Sequence, residues 1–105
     1  MALVSIERQD DKVVFNPNPV RIGRTDVVVF ANNDTQASHQ ITQQGLSAGA
    51  WMPDILGPAV AGQDPFTSPG IAFGDASKEK DIVIDYVCAV AGHSSETGQI
   101  VIPKR

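Results

Sequence analysis

The sequence is poor in sulfur and imidazole: it has one cysteine, Cys88, and two histidines, His39 and His93, in 105 residues. A single cysteine excludes an intramolecular disulfide, so nothing staples the fold covalently. Positive charge is also scarce. Eight Lys and Arg stand against twelve Asp and Glu, for a net charge of −4. That balance argues against a nucleic-acid binder, which presents a basic face. It permits salt-sensitive steering toward a basic protein partner. No apolar run approaches the roughly 20 residues of a membrane-spanning helix. The sequence shows no heptad, no internal repeat and no long stretch of helical periodicity.

What is present suits an ordinary globular protein, with hydrophobic content of 42% and charged content of 19%. The length predicts a single domain over 1–105 with a real but small core. Met1-Ala2-Leu3-Val4 leads straight into a strand-like run, with no leader pattern. A cytosolic protein, or one whose leader has been removed, is expected.

The chain reads as short strands between turns. Leu3–Arg8 and Lys12–Phe15 flank the polar Asp10-Asp11, read as a solvated turn. Asn16-Pro17-Asn18-Pro19 is a strong turn signal. Val20-Arg21-Ile22 alternates, and Val27–Phe30 is continuous and β-branched, as a central strand should be. A further strand is expected to begin at His39-Gln40-Ile41-Thr42, and others over Asp81–Val87 and Gly98–Ile102. Between Gly45 and Ala76 the pattern fails. The segment still carries Trp51, Met52, Leu56 and Phe66, so it reads as a long ordered excursion packed on one edge. A short helical turn is expected around Asp54-Ile55-Leu56. Strands at this spacing indicate an all-β sandwich or barrel.

The chemistry concentrates in Tyr86-Val87-Cys88-Ala89-Val90-Ala91-Gly92-His93, with His39 far upstream. One thiolate and two imidazoles form the trigonal ligand set of a blue-copper electron-transfer centre. Structural zinc is a weaker fit, because it favours four ligands, often several of them cysteines. A nucleophilic Cys88 paired with His93 or His39 is conceivable, but the sequence carries no oxyanion-hole or substrate-cleft signature.

Three stretches resemble the cupredoxins, the blue-copper domains of plastocyanin, amicyanin and azurin type. They are Phe15 to Asp34, Ser38-His39, and Tyr86 to Ile102. Together they cover about half of the chain, and the 45–76 segment matches nothing in the family. The resemblance implies a Greek-key β-sandwich without enzymatic activity. It implies one copper ion, cycling between Cu(I) and Cu(II), held by His39, Cys88 and His93. It also implies backbone amides of Gln40 and Val90 aimed at the thiolate. Asn32 and Asn33 either tie the ligand loops together or form a polar turn. Redox proteins would dock briefly near His93, on an apolar ring of Val90, Ala91, Met52 and Pro53. A monomer in the periplasm or outside the cell is expected. Storage, delivery or sensing of copper is the alternative function, as is a red-copper-like site with an open position.

The family's axial methionine is missing from the loop Ser94-Ser95-Glu96-Thr97. By the amicyanin pattern the axial residue stands three past the histidine and two before the strand glycine, which selects Glu96. Strand alternation agrees, because Glu96 shares parity with Gly98, Ile100 and Ile102. Gln99, in the manner of the phytocyanins, Met52, or no axial ligand remain the alternatives.

Overall fold

Alternating burial defines the strands. The computed structural model describes residues 1–23, 26–44, 55–72, 79–93 and 95–104, and nine strands lie among them. In β1 (Ala2–Gln9) Val4 and Ile6 are buried while Leu3 is exposed. β2 (Lys12–Asn16) pairs antiparallel with β1, Gln9 opposite Lys12. Asp10 and Asp11 form the two-residue turn, with φ of 49° and 65°. Positive φ at both positions matches the twist of a tight hairpin, and aspartate tolerates that region better than most residues. β3 (Val20–Arg21) and β4 (Val27–Asn32) follow. β5 (Ile41–Gln43) is short, and β8 (Ile82–Cys88) and β9 (Thr97–Ile102) form a long hairpin.

The strands make two mixed sheets. One has the order β2-β1-β4-β6, with β7 also beside β4; the other has the order β3-β9-β8-β5. The β1–β4 and β3–β9 pairs are parallel, and the remaining pairs are antiparallel. Parallel neighbours need crossovers, so the chain passes from sheet to sheet as a β-sandwich requires. Val4, Ile6, Val28 and Phe30 of the first sheet belong to one core with Ile41, Tyr86, Ile100 and Ile102 of the second.

Tyr86 anchors that core. Its ring meets Phe15 and Phe30 edge-on, at centroid distances of 5.0 and 5.1 Å. Tyr86 also stands directly across from Gly98 on β9. A Cβ at Gly98 would overlap the phenol ring, so only glycine fits there. Gly98→Ala is expected to destabilise the fold by about 1–3 kcal/mol, as overpacking does. A drop in melting temperature of roughly 4–8 °C per kcal/mol would register it.

The structure adds detail to the described part of the 45–76 segment. It contains β6 (Phe66–Thr67) and β7 (Ile71–Ala72), both antiparallel to β4. Its described part, residues 55–72, lies along one edge of the sandwich, where these two strands of two residues each interrupt the loop. Leu56 is not helical. It forms an extended bridge with His39, through paired backbone hydrogen bonds of 3.0 and 2.8 Å. His39 therefore precedes β5 rather than starting it. Trp51, Met52, Pro53 and Asp54 lie outside the described residues.

Candidate metal centre

Three of the four candidate ligands sit on the β8–β9 hairpin. Cys88 is the last residue of β8, and its amide donates to the Glu96 carbonyl at 2.9 Å. This bond closes the connecting loop at its base. Inside it, His93 N donates to Val90 O at 3.0 Å, and Glu96 N donates to His93 O at 2.9 Å. Gly92 takes φ of +84° in this turn, a left-handed conformation that glycine adopts without strain. The turn points His93 back at Cys88. His39 arrives from the segment that leads into β5, the strand beside β8, and is fixed by its bridge to Leu56.

The four side chains converge. Cys88 Sγ lies 3.6 Å from His39 Nδ1 and 3.5 Å from His93 Nδ1. Glu96 Oε1 lies 3.0 Å from His39 Nδ1 and 3.2 Å from His93 Nδ1. One donor atom from each residue falls within 4.8 Å of all the others. Metal–ligand bonds of about 2.0–2.3 Å, spread at trigonal to tetrahedral angles, place donors roughly 3–4 Å apart. The observed spacing is of that kind. Glu96 Oε1 is buried without a hydrogen-bond partner, and such an atom is costly unless a cation answers it. Sulfur and imidazole select copper or zinc over harder ions, and the set fits one copper ion.

The surroundings grade from closed to open. His39 is fully buried, Glu96 is 15% exposed and His93 is 22% exposed. Burial pushes the Cys88 thiol up, and backbone hydrogen bonds from Gln40 and Val90 act against that shift. Those are the two amides expected from the sequence. Asn32 is fully buried and ties loops together, donating to the carbonyls of Ala37, Leu56 and Gly57 at 2.9–3.0 Å. Asn33 instead donates to Ser5 Oγ at 2.6 Å on the exposed side.

Gln99 is not part of the cluster. It lies on the exposed face of β9, where its side chain donates to Asp85 at 2.9 Å. The β9 alternation that turns Glu96 inward turns Gln99 outward. Met52 falls outside the described residues.

The sequence reading missed Asp34 and Arg8. In the sequence Asp34 is one more polar residue just past the end of β4. It is fully buried, with Oδ2 2.8 Å from His39 Nε2. Arg8 grips the carboxylate with two bonds of 2.9 and 2.8 Å, and Gln36 N adds a third at 2.9 Å. Burial pushes the Asp34 carboxyl up, but the bonds from Arg8, His39 and Gln36 outweigh it and hold the group well below the usual carboxylate range. One signal was available: Arg8 shares the parity of the buried Val4 and Ile6, an unusual place for a strand arginine.

No protein-family model matches the sequence, and no curated protein does. Solved structures do match. A purple cupredoxin from Nitrosopumilus maritimus aligns over 97% of this chain and 99% of its own, with TM-score 0.62 and 16% identity. A mutant fern plastocyanin aligns over 96% and 99%, with TM-score 0.59 and 15% identity. Amicyanin from Paracoccus versutus aligns over 95% and 80%, with TM-score 0.56 and 17% identity. Likeness along nearly the whole chain at such low identity speaks for architecture, and the architecture of this chain is the cupredoxin fold.

Proposed function

We propose that His39, Cys88, His93 and Glu96 bind one copper ion, and that the protein carries single electrons between redox partners outside the cytoplasm. The observation that carries this reading is the convergence of a thiol, two imidazoles and a carboxylate at one end of the two-sheet scaffold. Bound copper supplies a one-electron couple. The chain's own residues keep the donors still. Cys88 and Glu96 are tied across the base of one hairpin, and His39 is fixed by Leu56, Asn32 and Asp34. Ligands that move little between oxidation states keep the reorganisation on electron transfer small. His93, the more exposed imidazole, is the exit route. Val90, half-buried beside it, and the exposed Ala91 supply part of an apolar rim for brief docking.

Optical and EPR spectra of the copper-loaded protein, with the electron self-exchange rate, test this reading. A thiolate-to-copper band with rapid self-exchange supports it, and a colourless copper complex ends it. Loading should also raise the melting temperature, since a ligand bound only by the native state stabilises it by mass action, about 2.7 kcal/mol at a hundredfold excess over Kd. Thermal unfolding with and without copper measures this.

One observation favours a second reading, a centre with an open position. A cavity of about 340 Å³ reaches Glu96 and is lined by Arg8, Asp11, Lys12, Val13 and Ser95. Its wall sets two cations, Arg8 and Lys12, against two carboxylates, Asp11 and Glu96, and leaves room for a small ligand beside Glu96. Azide perturbing the visible spectrum of the loaded protein would favour this reading over a closed carrier.

A further inference from the structure

We propose that Asp34 and Arg8 are positioning residues of the metal site: the clamped carboxylate fixes His39 in the Nε2–H tautomer and turns its Nδ1 lone pair toward Cys88 and Glu96. This inference rests on the copper reading above, yet part of it is visible without metal.

The geometry leaves His39 a choice of two anions. Asp34 Oδ2 lies 2.8 Å from Nε2 on one side, and Glu96 Oε1 lies 3.0 Å from Nδ1 on the other. A neutral imidazole carries one proton, so it can donate to one of them. If the proton goes to Glu96, Nδ1 is lost as a metal donor. If it goes to Asp34, Nδ1 presents its lone pair to the centre. Asp34 is built to win. It is fully buried, whereas Glu96 keeps some contact with solvent. Its two oxygens accept a bidentate fork from Arg8 and a bond from Gln36 N, which fix the carboxylate plane. A bidentate arginine pair gives geometric specificity as well as strength.

Three parts of the chain meet in this relay. Arg8 comes from β1, Asp34 from the loop after β4, and His39 from the bridge before β5. The ring is thereby anchored to the opposite sheet from the one that carries Cys88. A carboxylate accepting Nε2–H also makes Nδ1 a stronger donor, which favours Cu(II) over Cu(I). Arg8 supplies the positive charge that lets a third acid lie near a centre already holding Cys88 and Glu96.

Nitrogen-15 NMR of the metal-free protein near neutral pH reads the tautomer directly. The expected result is His39 as a single Nε2–H tautomer with a slowly exchanging proton. In Asp34→Asn, which keeps the shape and removes the charge, that preference should weaken. Affinity for Cu(II), measured against a competing chelator, should fall 10–100-fold. The reduction potential should rise. Arg8→Lys keeps a charge but loses the fork, and should give a smaller loss of affinity. If Asp34→Asn does not fold, the wild-type tautomer and Arg8→Lys decide the question. A wild-type Nδ1–H tautomer overturns the proposal, as do unchanged affinity and potential in the variants. Failure of the copper reading itself would look different, with no charge-transfer band in the wild-type protein.

Discussion

Cys88→Ser is expected to remove the intense visible band of the copper-loaded protein completely. The band arises from charge transfer out of the thiolate, and Cys88 is the one cysteine of the sequence. A serine hydroxyl has nearly the same shape, so a residue 2% exposed at the end of β8 is replaced without a cavity. The fold should therefore persist, with unchanged strand content by circular dichroism. Affinity should fall more for Cu(I) than for Cu(II), because the soft donor is what holds the reduced ion. A coloured Cys88→Ser protein would defeat the whole assignment.

Glu96→Met should raise the reduction potential and move the spectrum toward the blue type. A carboxylate is a hard anionic donor that favours Cu(II), and a thioether is neutral and soft. For one electron, each tenfold change in relative affinity for the two oxidation states is worth about 59 mV. Methionine also removes the buried Oε1 that otherwise faces two imidazoles at 3.0 and 3.2 Å. The metal-free variant should therefore be no less stable than the wild type. Gln99→Met, on the exposed face, is the control and should change neither potential nor colour. Redox titration and optical spectra measure both variants. If Glu96→Met behaves like Gln99→Met, the carboxylate is not at the metal.

The contrast between Glu96 and Gln99 shows what a sequence discloses. Both follow from the period-2 alternation of β9, which Ile100 and Ile102 make easy to read. The β1, β8 and β9 strands were legible from their own patterns, and β4 as a continuous β-branched run. β6 and β7 were not. Two residues each, set among prolines and glycines, carry no period, and only pairing with β4 makes them strands. Cys88 and His93 were found because they share one loop. The Arg8–Asp34 clamp was hidden because its partners are 26 residues apart and neither belongs to a motif. Asp34 read alone is one more polar residue at a strand end.

The distribution of donors along the chain also bears on the unfolded state. Cys88, His93 and Glu96 fall within one short loop, while His39 is 49 residues from Cys88. An unfolded chain keeps the first three within reach of one another, so it retains some grip on the metal. Binding to the unfolded form subtracts from mass-action stabilisation. The rise in melting temperature should thus be smaller than the native dissociation constant alone implies. What the native state adds is His39, whose capture closes a long loop and costs chain entropy that grows only slowly with loop length. The metal then acts as a reversible cross-link between the carboxy-terminal hairpin and the amino-terminal half. Removal of His39, rather than of any hairpin ligand, is the change that would leave metal bound while abolishing that link.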